Sequence, residues 1–288
     1  MTLSDHLYKI LPEDTFVFLR RMYRKYQHVR YPKLTEQNFS EILTKKLGIN
    51  QGMVVYIHSS VDKLNLAFSP LTLLNLLQDA VGESGTLLFP CWHFPGRAAD
   101  YLRRENAVFD VERSVTMMGL LPELARRYPG AVRSLHPTAS VVAIGRLAKE
   151  LTREHHLDVY PNGIKSPLFK MMEYDSKIIG LGERVVSLSF VHVVEDVMKE
   201  KFPLKALEDE VYRCKVIDEK GNTIEVNTLV PHINIAHRNI PAFFDKYISK
   251  DAYQKFRYRG INFFEVSPRQ LFDEMKLLAG KNITIYSG

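Results

Sequence analysis

The sequence predicts an α/β domain: a central mixed, largely parallel sheet flanked by helices, with an antiparallel addition toward the C-terminus. Three observations predict it. Met53-Val-Val-Tyr-Ile-His58 and Gly85-Thr-Leu-Leu-Phe-Pro90 are short, nearly continuous apolar runs, the pattern of strands covered on both faces. Residues 70–81 between them are apolar at helical spacing, which gives strand–loop–helix–strand, a βαβ unit. Residues 211–230 read as a hairpin around a Glu219-Lys-Gly-Asn222 turn. The 288 residues suit one large domain, and no repeat, low-complexity segment or linker interrupts them. We divide the chain into an N-terminal helical extension, 1–36, and a main domain, 37–288.

The elements follow in order. Residues 14–30 form a helix with Phe16, Phe18, Leu19, Met22 and Tyr23 on one side and basic residues elsewhere; that side suits the body, another subunit or a membrane surface. Thr35 caps a second helix over 35–46. The first strand ends in Ser59-Ser60, and Pro70 suits the first turn of the following helix. A helix over 117–127 stops at Tyr128-Pro129-Gly130, and 141–144 is a strand that runs through Gly145 into a helix ending at Leu151. Ser166-Pro167 opens a short helix to Met172, serine capping and proline in the first position. Residues 177–182 are a strand and 190–199 a helix. Residues 240–257 and 268–279 read as helices, and 283–286 as a last strand.

Composition narrows the function. Hydrophobic content of 45% and charged content of 25% are those of a globular domain. No apolar run approaches the roughly 20 residues that span a bilayer. The N-terminus lacks the basic start and apolar core of a signal peptide. Cys91 and Cys214 have no metal-ligand spacing, so a cytoplasmic protein with reduced thiols and no metal is expected. The formal charge of +6 is spread along the chain without an aromatic-basic motif. That argues against nucleic acid and favours small anionic ligands. There is no Walker A, no G-x-G-x-x-G, no H-E-x-x-H, and Ser59 is not in a G-x-S-x-G elbow.

Five segments hold the residue types that do chemistry. In Arg133-Ser-Leu-His-Pro-Thr-Ala-Ser140, Pro137 biases His136 away from the α region, with Arg133, Ser134, Thr138 and Ser140 close by. His192, Glu195 and Asp196 fall at i, i+3 and i+4 on one helix face, where a carboxylate fixes an imidazole tautomer and makes a general base; a surface ion pair has the same spacing. His58-Ser59-Ser60 closes a strand, at the end where open α/β sheets bind ligands, or else caps the next helix. Ser114 or Thr116, with Arg113 nearby, leads into a helix start suited to an anion. Cys91, beside Trp92 and His93, follows a strand, where a thiol can serve as a nucleophile; a buried structural cysteine is the default.

Together these segments resemble the aminoglycoside 3-N-acetyltransferase family. The matching motifs run in order: Val55-Tyr-Ile-His-Ser-Ser60, Gly85 to Pro90, Met118-Gly-Leu-Leu-Pro122, Gly130 to Ser140, Ser166-Pro-Leu168, Gly180-Leu-Gly182, and His192 with Glu195. They cover roughly residues 38–287. Where the family commonly has a threonine before the helix histidine, this chain has Ser187 and Ser189.

The resemblance implies transfer of an acyl group from acetyl-CoA, or a longer acyl-CoA, to an amine on a sugar or cyclitol ring. His192 is then the general base and Glu195 its partner, with His136 either a second catalytic group or a positioning one. His58, Ser59, Ser60, Ser114, Met118, Gly119, Arg133 and Ser134 would line the coenzyme A side, and Asp196, Trp92 and Ser166 the acceptor side. The basic balance favours a nucleotide-linked (dTDP-type) amino-dideoxyhexose, as used in surface glycans. The alternative is an aminoglycoside antibiotic and resistance to it. A homo-oligomer is open.

Overall fold

The structure, a computed structural model, describes residues 12–104 and 107–286. Helix α1 spans Glu13–Arg30 and α2 Glu36–Glu41, continued by a π turn over Ile42–Lys46. Thr35 caps α2, its hydroxyl accepting from the Asn38 N–H at 3.2 Å. Strand β1 (Val54–Ser59), helix α3 (Pro70–Val81) and strand β2 (Thr86–Pro90) form the expected βαβ unit. Next come α4 (Ala98–Leu102), β3 (Val108–Asp110), α5 (Leu120–Arg126), β4 (Val132–Arg133) and β5 (Val141–Gly145). They are followed by α6 (Ala148–Thr152), α7 (Pro167–Lys170), β6 (Ser176–Leu181) and α8 (His192–Met198). The chain closes with β7 (Tyr212–Ile217), β8 (Thr223–Thr228), α9 (Ile240–Tyr247), β9 (Tyr253–Tyr258), β10 (Ile261–Val266) and α10 (Pro268–Ala279).

Seven strands make a mixed sheet in the order β4-β5-β2-β1-β6-β10-β9. The central trio β2-β1-β6 is parallel; β5 and β10 flank it antiparallel, and the edge strands β4 and β9 pair antiparallel with them. The predicted hairpin forms as β7–β8 and recruits β3 into a second, three-stranded sheet.

The alternation of side chains across β1 sorts two cores. Val54 and Tyr56 face one, beneath α8, α9 and α10; Val55 and Ile57 face the other, beneath α2, α3 and α5. Gly180 on β6 allows the Phe264 ring to lie on the backbone: a Cβ there would come within 2.0 Å of it.

Two sequence expectations give way. Residues 253–257 are not helical: Tyr247 ends α9, Ile248 turns to extended backbone, and 253–258 pair with 261–266. Side chains there alternate, with Phe256 stacked on Phe263 at 5.2 Å, a cross-strand contact that helical spacing conceals. Residues 283–286 form no strand; the segment instead gives the Ile285 carbonyl to the Asn239 N–H at 2.9 Å. Helix α1 does form, but it leaves Phe18, Leu19, Met22, Tyr23 and Tyr26 exposed. The body is therefore not what covers that side.

Candidate active site

The centre of the site is α8. Three and four residues along a helix bring side chains to one face, and His192 Nδ1 lies 2.9 Å from Glu195 Oε2. Glu195 is buried, 3% exposed, and its other oxygen accepts from the Tyr286 hydroxyl at 2.7 Å. The Arg238 guanidinium donates to His192 Nε2 at 2.9 Å. An arginine only donates, so Nε2 accepts and Nδ1 carries the proton that goes to Glu195. That tautomer presents a lone pair on the imidazole's outer edge, as a general base must.

Asp196 shares the helix face by spacing, but its surroundings differ from those expected of an acceptor-binding carboxylate. It is 1% exposed, and Oδ2 accepts from both the N–H (2.6 Å) and the side-chain amide (3.1 Å) of Asn162. Burial pushes its carboxyl up to about 7 against these hydrogen bonds. Asp196 fastens α8 to the 158–163 loop.

The His-Pro-Thr segment holds that loop from below. Ser134 Oγ accepts from the Val141 N–H at 3.0 Å and donates to His155 Nδ1 at 2.8 Å. His155 Nε2 then donates to the Pro161 carbonyl at 2.8 Å, next to Asn162. His136 stacks on His155 with ring centroids 4.6 Å apart, and accepts from the Ala139 N–H. Fully buried beside two other histidines, it is held well below its ordinary protonation range. His136 thus packs against His155, whose Nε2–H holds the Pro161 carbonyl of the loop bonded to α8. Sequence reasoning missed His155, Asn162, Arg238 and Tyr286, because none of them carries a local spacing signal.

Arg133 and Ser134, expected on the coenzyme side, are buried and hydrogen-bonded within the protein itself. Arg133 is 7% exposed; it donates to the carbonyls of Ser114 (2.6 Å), Val111 (3.3 Å) and Cys91, and its guanidinium lies over Phe109 at 4.7 Å. Burial lowers it to about 10, so it stays charged at neutral pH. It pins the turn after β3 to the end of β2. Ser166 also departs from expectation: it is buried, and its hydroxyl caps α7 by accepting from the Phe169 N–H. Trp92 is half-buried, and its carbonyl accepts from the Thr116 hydroxyl and the Met117 N–H. Cys91 is buried and its thiol pushed up by desolvation, which removes it as a nucleophile.

At the C-terminal end of β1 the picture is different. His58 Nε2 and Ser59 Oγ are buried without a hydrogen-bond partner among the described residues. Burial holds His58 down at about 4, hence neutral. Ser60 Oγ donates to Asp62. Unpaired buried polar atoms at a strand end are costly unless a ligand meets them. Separately, the loop before α5 exposes Val115, Met117 and Leu120 around Gly119, whose φ of +100° only glycine adopts readily and which has no atom within 4 Å of a Cβ position. Ser114 Oγ is held by the Asp110 N–H, and Met118 N–H by Thr116. No group of three or more metal-ligating side chains occurs among the described residues.

A family model for aminoglycoside 3-N-acetyltransferase matches residues 56–277. The chain belongs to the aminoglycoside 3-N-acetyltransferase family. Aminoglycoside N(3)-acetyltransferase IX of Micromonospora chalcea is 34% identical over 172 residues, 54% of this chain and 61% of that protein. Enzyme VII of Streptomyces paromomycinus is 32% identical over 207 residues, 64% of this chain and 72% of its own length. Among solved structures, the AAC-IIIb binary complex with CoASH superposes with a TM-score of 0.73 at 22% identity, over 89% of this chain and all of that one. AAC(3)-Xa gives 0.76 at 21% identity, over 92% and 99%. These family structures confirm the fold class. The family match spans the β1 end, the loop before α5 and all of α8, and leaves α1 and Tyr286 outside it.

Proposed function

We propose that this protein is an acyl-CoA-dependent N-acyltransferase that acetylates an amine of an aminoglycoside. The observation that carries the reading is the His192–Glu195 pair, with Nδ1–H on Glu195 and the Nε2 lone pair held by the exposed Arg238, which the acceptor has to displace. The acceptor class follows the matched relatives, which are aminoglycoside N(3)-acetyltransferases. It replaces the nucleotide-linked amino sugar expected from the basic composition, because net charge is a property of the whole surface and not of the site.

The chain's groups account for the steps. An ammonium has no lone pair and cannot attack a carbonyl; His192 Nε2 takes its proton, and the C–N bond then forms at the thioester carbon. Coenzyme A supplies the activated acyl group. Glu195 stabilises the imidazolium, as a buried carboxylate does for a hydrogen-bonded partner. When the C–S bond breaks, the imidazolium gives that proton to the departing thiolate, and the restored imidazole takes the second proton from the acylated nitrogen and releases it to solvent, leaving a neutral amide and a free thiol. No covalent acyl-enzyme is needed. His58 Nε2, a neutral buried atom without a partner among the described residues, suits an amide of a pantetheine arm.

The test is release of free thiol from acetyl-CoA with three acceptors supplied separately: an aminoglycoside bearing a 3-amino group, a dTDP-amino-dideoxyhexose, and no acceptor. Turnover with the aminoglycoside is expected. Turnover with the nucleotide sugar alone would overturn the acceptor class, and thiol release independent of any amine would overturn the acyl transfer itself.

A further inference from the structure

We propose that Tyr286, two residues from the C-terminus, is a positioning residue of the active site, setting through Glu195 how readily His192 gives up its proton. The inference rests on His192 being the base, as proposed above. The two oxygens of Glu195 are divided between two donors: His192 Nδ1–H on Oε2 at 2.9 Å and the Tyr286 hydroxyl on Oε1 at 2.7 Å. With Glu195 only 3% exposed, water cannot replace either donor freely. The phenol is desolvated and faces a carboxylate, so it is held protonated and donates to Glu195.

The C-terminal segment is placed to do this. Thr284 and Ile285 are buried, and the Ile285 carbonyl accepts from the Asn239 N–H at 2.9 Å. Residue 286 thereby contacts Glu195 while residue 239 is held next to Arg238, the group on the opposite edge of His192. Among the described residues, the imidazole meets Glu195 and lies near Asp196, both on α8, and meets Arg238 from the loop before α9, while Tyr286 reaches it only through Glu195.

A hydroxyl donating to a carboxylate spreads its negative charge. Without that donor, Glu195 concentrates its charge on His192 and favours the imidazolium. A base that stays protonated cannot accept a proton from the acceptor ammonium. The loss in Tyr286→Phe is therefore confined to the pH range where the imidazolium persists, and alkali relieves it. The ring still fills its place, so the fold is retained.

The experiment compares wild type and Tyr286→Phe in kcat/KM for the aminoglycoside acceptor across pH 6 to 9, beside NMR titration of the His192 ring. We expect kcat/KM to fall about tenfold at pH 6.5, the scale of one hydrogen bond to a buried charge, and to recover to within about twofold at pH 9. The ring titration moves to higher pH and the melting temperature falls by no more than about 5 °C, the scale of one unpaired buried acceptor in a chain of this length. A loss equal at every pH, or an unmoved ring titration, overturns the proposal. The NMR arm needs no turnover. If wild type transfers no acyl group, the functional reading fails while the coupling of Tyr286 to His192 is still decided.

Discussion

Arg238 donates to His192 Nε2 at 2.9 Å, so a guanidinium stands where the acceptor's ammonium must come. A cationic acceptor has to displace it against like charge. Arg238→Ala is expected to lower KM for a cationic aminoglycoside about threefold, a modest change because the arginine is exposed and solvent screens it. KM for acetyl-CoA should not change. Steady-state kinetics at two salt concentrations check this, since the difference should shrink as salt rises.

His192→Ala is expected to reduce kcat by at least about 100-fold, the usual scale for losing a general base. Coenzyme A binding, measured by calorimetry, should persist, because His192 is bonded to Glu195 and Arg238 and not to the unpaired groups at the end of β1.

Asp196 gives a stability prediction. Its folded carboxyl is raised by burial from an ordinary 3.8 to about 7. Between those values the folded state binds more protons than the unfolded one, so this group's contribution falls as pH rises from about 4 through 7. Asp196→Asn keeps an oxygen for the Asn162 donors and cannot ionise. Thermal melts should show the variant more stable than wild type by a few degrees at pH 8, on the order of 1–2 kcal/mol, with little difference at pH 4.

His93 has the opposite sign. It stacks on Phe109 at 4.7 Å, both ring nitrogens lack partners among the described residues, and burial lowers it to about 4. Its contribution is complete above an ordinary histidine value of 6.5 and is lost as pH falls toward 4. His93→Phe should raise the melting temperature at pH 5 by more than at pH 8, read from paired scans.

Arg133→Met tests whether that residue binds coenzyme or holds the fold. Removing the guanidinium strands the buried Val111 and Ser114 carbonyls, which costs about 2–4 kcal/mol. Denaturant melts should show that loss. Coenzyme A affinity of the folded fraction should be nearly unchanged.

Local sequence was enough for β1, α3, β2, the β7–β8 hairpin and α10, where an apolar run, a capping residue or a turn dipeptide acts within a few positions. It was also enough for His192 with Glu195, because a helix converts a spacing of three into contact. It was misleading at Arg133, Ser134, Ser166 and Asp196. Residue type marks a group that can bind an anion or an amine, but the same guanidinium, hydroxyl or carboxylate also satisfies buried main-chain groups, and only burial tells the two apart. The β9–β10 pairing was hidden because strand contacts depend on the partner strand.

The family motifs, the βαβ core and the His192–Glu195 contact were thus determined by sequence alone, since each depends on interactions within a few residues of chain. The partners of that pair were decided by tertiary structure. Tyr286 meets Glu195 across 91 positions and Arg238 meets His192 across 46. Contacts at such separations follow from how the two cores pack α8, α9 and the chain end together, and no local periodicity encodes them.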